Sequence, residues 1–240
     1  MNRLDKPVFG VPPPWRLERT LWPTLALLGV AIVGFEVSNV DLWLQDHFYN
    51  FAAARWWVDA RAPGPRAWFY NGPKIALILL ALVMLALTAG PARWRERWQL
   101  DRRRLGVALL TLGLVPLVIG QLKANTNVFC PAEIERYGGD VAYVKAFERH
   151  PPELQPDRRG RCYPAGHASG GFALFGLAGL WETRRAQRRG LLLGLMVGWG
   201  MGGYQMLKGA HYLSHTVVTM LLAWIGFLLI RRWLRVGGNL

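Results

Sequence analysis

The chain has 240 residues, 52% of them hydrophobic, with 29 Lys+Arg against 15 Asp+Glu and a net charge of +14. Its twelve tryptophans and seven tyrosines exclude a disordered tail or a low-complexity linker. Two cysteines are too few for a disulfide scaffold and lack zinc-site spacing. The charge alone would suit nucleic acid, but the arginines fall in short clusters between long apolar runs, which is the pattern of a membrane protein.

In chain order, a cytoplasmic tail is predicted over residues 1–20, followed by six spans: Leu21–Val40, Pro73–Gly90, Leu105–Leu122, His167–Trp181, Gly190–Leu207 and Ser214–Ile230. The first has no A-x-A site and reads as an uncleaved anchor. The fourth is short and opens on His167, Ser169, Gly170 and Gly171, so that end must face protein or a wet cleft. Arg3, Lys6, Arg16 and Arg19 precede the first span. Arg93–Arg104, Arg184–Arg189 and Arg231–Arg235 mark the same side later in the chain. The positive-inside rule then puts both termini in the cytoplasm and loops 41–72 and 123–166 in the periplasm. The fold class expected is all-α: one polytopic domain, 1–240, in a bacterial inner membrane. Loop 41–72 is crowded with aromatics (Trp43, Tyr49, Trp56, Trp57, Trp68) and is expected to hold short helices along the headgroup interface. No internal repeat of the transporter kind is visible.

Ionisable residues beside spans are costly and point to function. His167 opens the fourth span, and His211 and His215, four apart, bracket the start of the sixth. Lys123 and Lys208 lie at the outer ends of the third and fifth. Imidazoles supply a nucleophile and an acid or base, and fixed ammonium groups stabilise an anion. Together they point to phosphoryl chemistry. The backbone amides of Ala165, Gly166 and His167, after Pro164, offer a further anion site at a helix start.

Lys123, six residues, Cys130-Pro131; Pro164-Ala165-Gly166-His167; and Gly209-Ala210-His211-Tyr212-Leu213-Ser214-His215 together resemble the three-part signature of the type 2 phosphatidic acid phosphatase superfamily. That signature reads K-x6-R-P, P-S-G-H and S-R-x5-H-x3-D on a six-helix core. The resemblance covers roughly Pro73 to Ile230. It implies Lys123 as a phosphate ligand, His167 as the acid for the leaving group and His211 as a nucleophile that forms a phosphohistidine, with no metal or cofactor. The chain departs from the pattern at Cys130, Ala165, Gln205 and His215, which stand where arginine, serine, arginine and aspartate are expected. Arg161 and Lys208 are the candidates to replace the charges. His215, or Glu133, Glu135 or Asp140, would orient the nucleophile. Cys130 and Cys162 fall in one outer loop, where an oxidising periplasm would let them pair; the alternative is two free buried thiols.

The expected partners are a phospho- or pyrophospholipid (polyprenyl, lipid A or phosphatidylglycerophosphate) and membrane lipids, without nucleic acid. The alternatives are a phosphotransferase or an inactive lipid-binding relative. A remote one, similar to rhomboid serine proteases, would use Ser169 with His215. That signature wants glycine where His167 stands.

Overall fold

The computed structural model describes residues 17–234. Arg3, Lys6, Arg16 and Arg235, with most of the expected cytoplasmic tail, lie outside the described residues. A 3-10 turn leads into α1 (Leu21–Val37), and α2 (Val40–Asp46) leaves it at a bend of 70°. A two-stranded hairpin follows, β1 (Tyr49–Asn50) against β2 (Arg55–Trp56), with Tyr49 opposite Trp56. A helical stretch from Pro63 to Ala89 contains a five-residue π segment, Ala67–Asn71, before its long part α3 (Gly72–Ala89). The remaining main helices are α4 (Arg102–Asn125), α5 (Gly166–Phe172, continued as a 3-10 coil to Gly179), α6 (Arg184–Leu207) and α7 (Leu213–Trp233). Asp101 caps α4 by accepting from the Arg104 N–H at 3.1 Å, and Thr183 caps α6 by accepting from that of Ala186 at 3.3 Å.

Pro63–Ala89, α4 and α7 are long and apolar enough to cross a membrane, and the bent pair α1–α2 makes a fourth candidate. Six spans were expected from the sequence. Residues 167–181 instead fold as one short α-helix and a 3-10 coil. α6 is 24 residues long, but its glycines and leading arginines keep it out of that apolar group. The aromatic loop holds a short helix, α2, and also a β-hairpin that was not expected.

The glycines of α6 have a packing cause. Gly190, Gly194 and Gly198 recur every four residues and form a smooth stripe against α5 and its coil. A methyl group on Gly198 would lie 2.2 Å from Phe172 Cδ1, and one on Gly190 2.5 Å from the Ala178 nitrogen. Phe172, Phe175, Val115, Ile119, Ala223 and Phe227 make the core among α4, α5 and α7. Apolar side chains on the outer faces of the helices stay uncovered: Val30 and Val33 on α1, Leu79 and Leu82 on α3, Leu117 and Val118 on α4. An apolar belt of this kind is a surface for lipid.

A second, smaller core caps one end. Tyr49, Phe129, Tyr137 and Tyr212 pack with Trp56, so part of the aromatic loop faces inward, while Trp43, Trp57 and Trp68 remain exposed. Cys130 and Cys162 are joined by a disulfide with their Cα atoms 5.3 Å apart. This cap closes over the ends of α4 to α7 where the histidines gather.

Candidate active site

His167 is the second residue of α5, and His211 sits in the turn between α6 and α7. That turn needs glycine at position 209: its φ is +73°, and a methyl group there would fall 2.3 Å from the Trp56 ring. The rings of His167 and His211 lie 6.2 Å apart, and Tyr70 packs on His167 at 4.6 Å. Lys123, in the last turn of α4, reaches the start of α5: a methyl on Gly166 would sit 4.0 Å from the Lys123 Nζ.

Two adjoining hollows share Tyr70, Lys123 and His167. The polar one, about 370 Å³, is also lined by Arg66, Gln205, Lys208, His211 and Cys130. Among the described residues its lining has three cationic side chains and no carboxylate, a setting for an anion. The Lys208 ammonium lies 4.9 Å from the Tyr204 ring and 5.5 Å from that of Tyr70, both within cation–π range. Burial, and then the Arg66 charge, lower the pKa of Lys208. Gln205 is buried, and its Nε2 has no hydrogen-bond partner among the described residues. A buried amide donor at a cleft wall is costly unless a ligand uses it. The apolar hollow, about 390 Å³, runs between Leu77, Ile78 and Ala81 on α3 and Leu112 and Pro116 on α4.

His211 is almost wholly buried. Burial, then the neighbouring His215, Lys123 and His167, push its pKa well below the usual 6.5, which keeps the ring neutral. Its Nδ1 is 3.4 Å from the His215 Nδ1 and 3.4 Å from the Cys162 sulfur. Among the described residues Cys162, His211 and His215 form a group of metal-type donors. The Cys162 sulfur is already bonded to Cys130, so no thiolate is available there for a metal.

Several sequence expectations need correction. The Ala165 N–H is turned inward, to the Thr219 Oγ1 at 2.8 Å and the His215 carbonyl at 3.2 Å, so it is not an anion donor. Arg161 is exposed and does not line the polar hollow; Arg66 does. The outer-loop carboxylates are engaged elsewhere: Glu133 accepts from the Cys130 N–H at 2.8 Å, Asp140 is forked by Arg158 at 2.6 and 2.7 Å, and Glu135 lines a separate hollow with it. Ser169 is fully buried with its hydroxyl on the Gly166 carbonyl at 2.6 Å, and lines neither hollow. Arg66 and Tyr70, which line the polar hollow, had no functional signal in the sequence. Gln205 did, standing where the third motif expects arginine.

Imidazoles and cations line a cleft that adjoins an apolar groove in a helical membrane protein, a setting for an anionic group joined to an apolar one. The family model of the PAP2 superfamily matches residues 104–237, more than half the chain, and the protein belongs to that superfamily. Members of this superfamily are typically phosphatases of lipid-type substrates. No curated protein and no solved structure matches the chain significantly.

Proposed function

We propose that the protein is a lipid phosphate phosphatase working through a phosphohistidine. The observation that carries this reading is the continuity of the two hollows: a cationic, histidine-lined chamber for a phosphate opens at Lys123 and His167 onto an apolar groove suited to a lipid chain. Lys123, Lys208 and Arg66 hold the phosphate oxygens, and the Gln205 amide replaces the arginine of the family pattern with a neutral donor. With Nδ1 of His211 engaged, Nε2 attacks phosphorus in line. The N–P bond forms as the P–O bond to the lipid breaks, and His167, protonated in the complex, gives its proton to the departing oxygen. Water then attacks phosphorus, His167 takes back a proton, and the N–P bond breaks to release phosphate.

Several spans are expected to complete this arrangement: six crossings, both termini cytoplasmic and the cleft facing the periplasm at headgroup depth. The clustering of Arg93–Arg104, Arg184–Arg189 and Arg231–Arg232 on one side of the apolar runs supports it. Accessibility of single cysteines placed in 41–72 and 184–189 to an impermeant thiol reagent in intact cells checks the sidedness.

Phosphate release by the detergent-purified protein from polyprenyl phosphate and pyrophosphate, lipid A and phosphatidylglycerophosphate is the deciding assay. The wild type is expected to cleave at least one. His211→Ala is expected to lose turnover altogether, and His167→Ala about 10²–10⁴-fold. If no lipid is cleaved, or if both variants match the wild type, the reading fails.

A further inference from the structure

The family pattern places a carboxylate four residues after the nucleophile, and here that position is His215. The structure offers a carboxylate on its far side. A nucleophilic His211 needs a bare Nε2, so its proton is on Nδ1. The His215 Nδ1, 3.4 Å away, is one acceptor for that proton, and when it accepts, His215 carries its own proton on Nε2. His215, itself buried, needs an acceptor for that N–H.

A partly open cavity of about 20 Å³, whose lining also includes Glu36 and Lys145, borders His215 and has room for one water. Asp41, from α2, lines it, as do Tyr212 and Ser214. Asp41 is buried, and its Oδ1 accepts from the Ser214 N–H at 2.8 Å. Tyr212 is 1% exposed, and its hydroxyl has no hydrogen-bond partner among the described residues. One water there would accept from the His215 Nε2–H and from the Tyr212 O–H and donate to the Asp41 carboxylate, three partners being typical of buried water.

We propose that Asp41 is the carboxylate that positions the nucleophile, acting through one water and His215. The relay rests on the phosphohistidine reading above. It fixes the tautomer of His211 and places a negative charge behind the ring as Nε2 takes up the phosphoryl group and the imidazole becomes cationic. Asp41 and His215 are positioning residues that do not touch substrate. Asp41 lies outside residues 104–237, so the family match does not contain it.

The experiment must separate this role from capping of α7. Asp41→Asn keeps an acceptor for the Ser214 N–H and removes the charge. It is expected to lower kcat about 10- to 100-fold, as loss of an outer-shell partner does elsewhere, with KM and melting temperature little changed, and Asp41→Glu is expected to recover part of the loss. His215→Asp puts a carboxylate directly beside His211, so adding Asp41→Asn to it should cost no further turnover. The proposal is overturned if Asp41→Asn turns over like the wild type, or if it costs as much in the His215→Asp background. In either case an inactive His211→Ala leaves the phosphatase reading standing. If His211→Ala matches the wild type, the reading falls and the relay with it.

Discussion

Replacing both Cys130 and Cys162 by serine should unfasten the cap and loosen the nucleophile together. The two residues are 32 apart in sequence, and closing a loop of that length removes roughly 3–4 kcal/mol of denatured-state entropy in the chain-entropy model. For a chain of this size that corresponds to a fall in melting temperature of about 6–16 °C. The effect reaches the site because the Cys162 sulfur is one of two groups against the His211 Nδ1, at 3.4 Å, and lies 3.0 Å from the Ala210 carbonyl oxygen. The measurement is tryptophan-fluorescence melting of the detergent-purified protein, beside phosphate release. It compares the wild type, the wild type with a thiol reductant, and Cys130→Ser/Cys162→Ser. The reduced wild type and the double variant should melt alike and turn over more slowly than the oxidised protein. If reductant changes neither the melting temperature nor the rate, or if alkylation without reductant finds both thiols free, the argument is refuted.

Gly198→Ala drives a methyl group to within 2.2 Å of Phe172 on the helix that carries His167. Overpacking of about 1–3 kcal/mol should lower both melting temperature and turnover. Gly113→Ala, with nothing within 4 Å, is the control and should melt no lower than the wild type. Acid should destabilise the protein through His211. Its folded pKa lies below the unfolded 6.5, so the stabilisation is present above pH 6.5 and is lost as pH falls from there toward the folded value, at roughly 1 kcal/mol per pH unit for one proton. Melting from pH 7.5 to 5 should show a shallower slope in His211→Gln, and an unchanged slope would count against neutral burial of that ring. Ala81→Phe should fill the groove. Each displaced methylene costs at most ~0.8 kcal/mol, so losing two or three lowers kcat/KM for a long-chain phosphate roughly 15- to 60-fold at the outside, while a short-chain ester is unaffected. An equal loss for both substrates would remove the groove from substrate binding.

The histidines and Lys123 were legible in the sequence because each sits at the end of an apolar run. Once helices are drawn, run ends must gather at one surface of a bundle, whatever the packing details. Ala165 was misread for the complementary reason. Whether its N–H faces a cleft or the interior is decided by Thr219 on α7, 54 residues away, and no local pattern encodes that. Arg66 and Tyr70 enter the polar hollow because the π segment, which follows Arg66 and contains Tyr70, lies against it, again a tertiary fact. The aromatic loop was read as an interface belt, yet Tyr49 and Trp56 pack on Tyr137 at 5.2 and 5.0 Å; composition cannot tell a ring bound for a headgroup from one bound for another ring. The four-residue recurrence of Gly190, Gly194 and Gly198 was open to view, and would have told that α6 packs closely on a neighbour.

The cleft is built from two parts of the chain that do different work. Lys123, His167, Gln205, Lys208 and His211 all come from the stretch that matches the superfamily model, and these are the groups that would handle phosphorus. Arg66, Tyr70, Lys74, Leu77, Ile78 and Ala81 come from before it and form the remaining wall. That wall is fastened at one end. Leu80, Met84 and Leu87 of α3 pack with Leu105 and Leu180, while the half of α3 nearer the histidines stands off α4 and leaves the groove between Ile78 and Pro116. A helix anchored at its far end and parted at its near end gives a lipid chain a lateral way in while its phosphate meets the histidines. Changes along the near half of α3 can then alter which chain is accepted without moving His211. A bulky side chain at the groove, Ile78→Trp, should block long-chain substrates and spare a short-chain phosphate ester; equal inhibition of both would mean that substrate enters by another path.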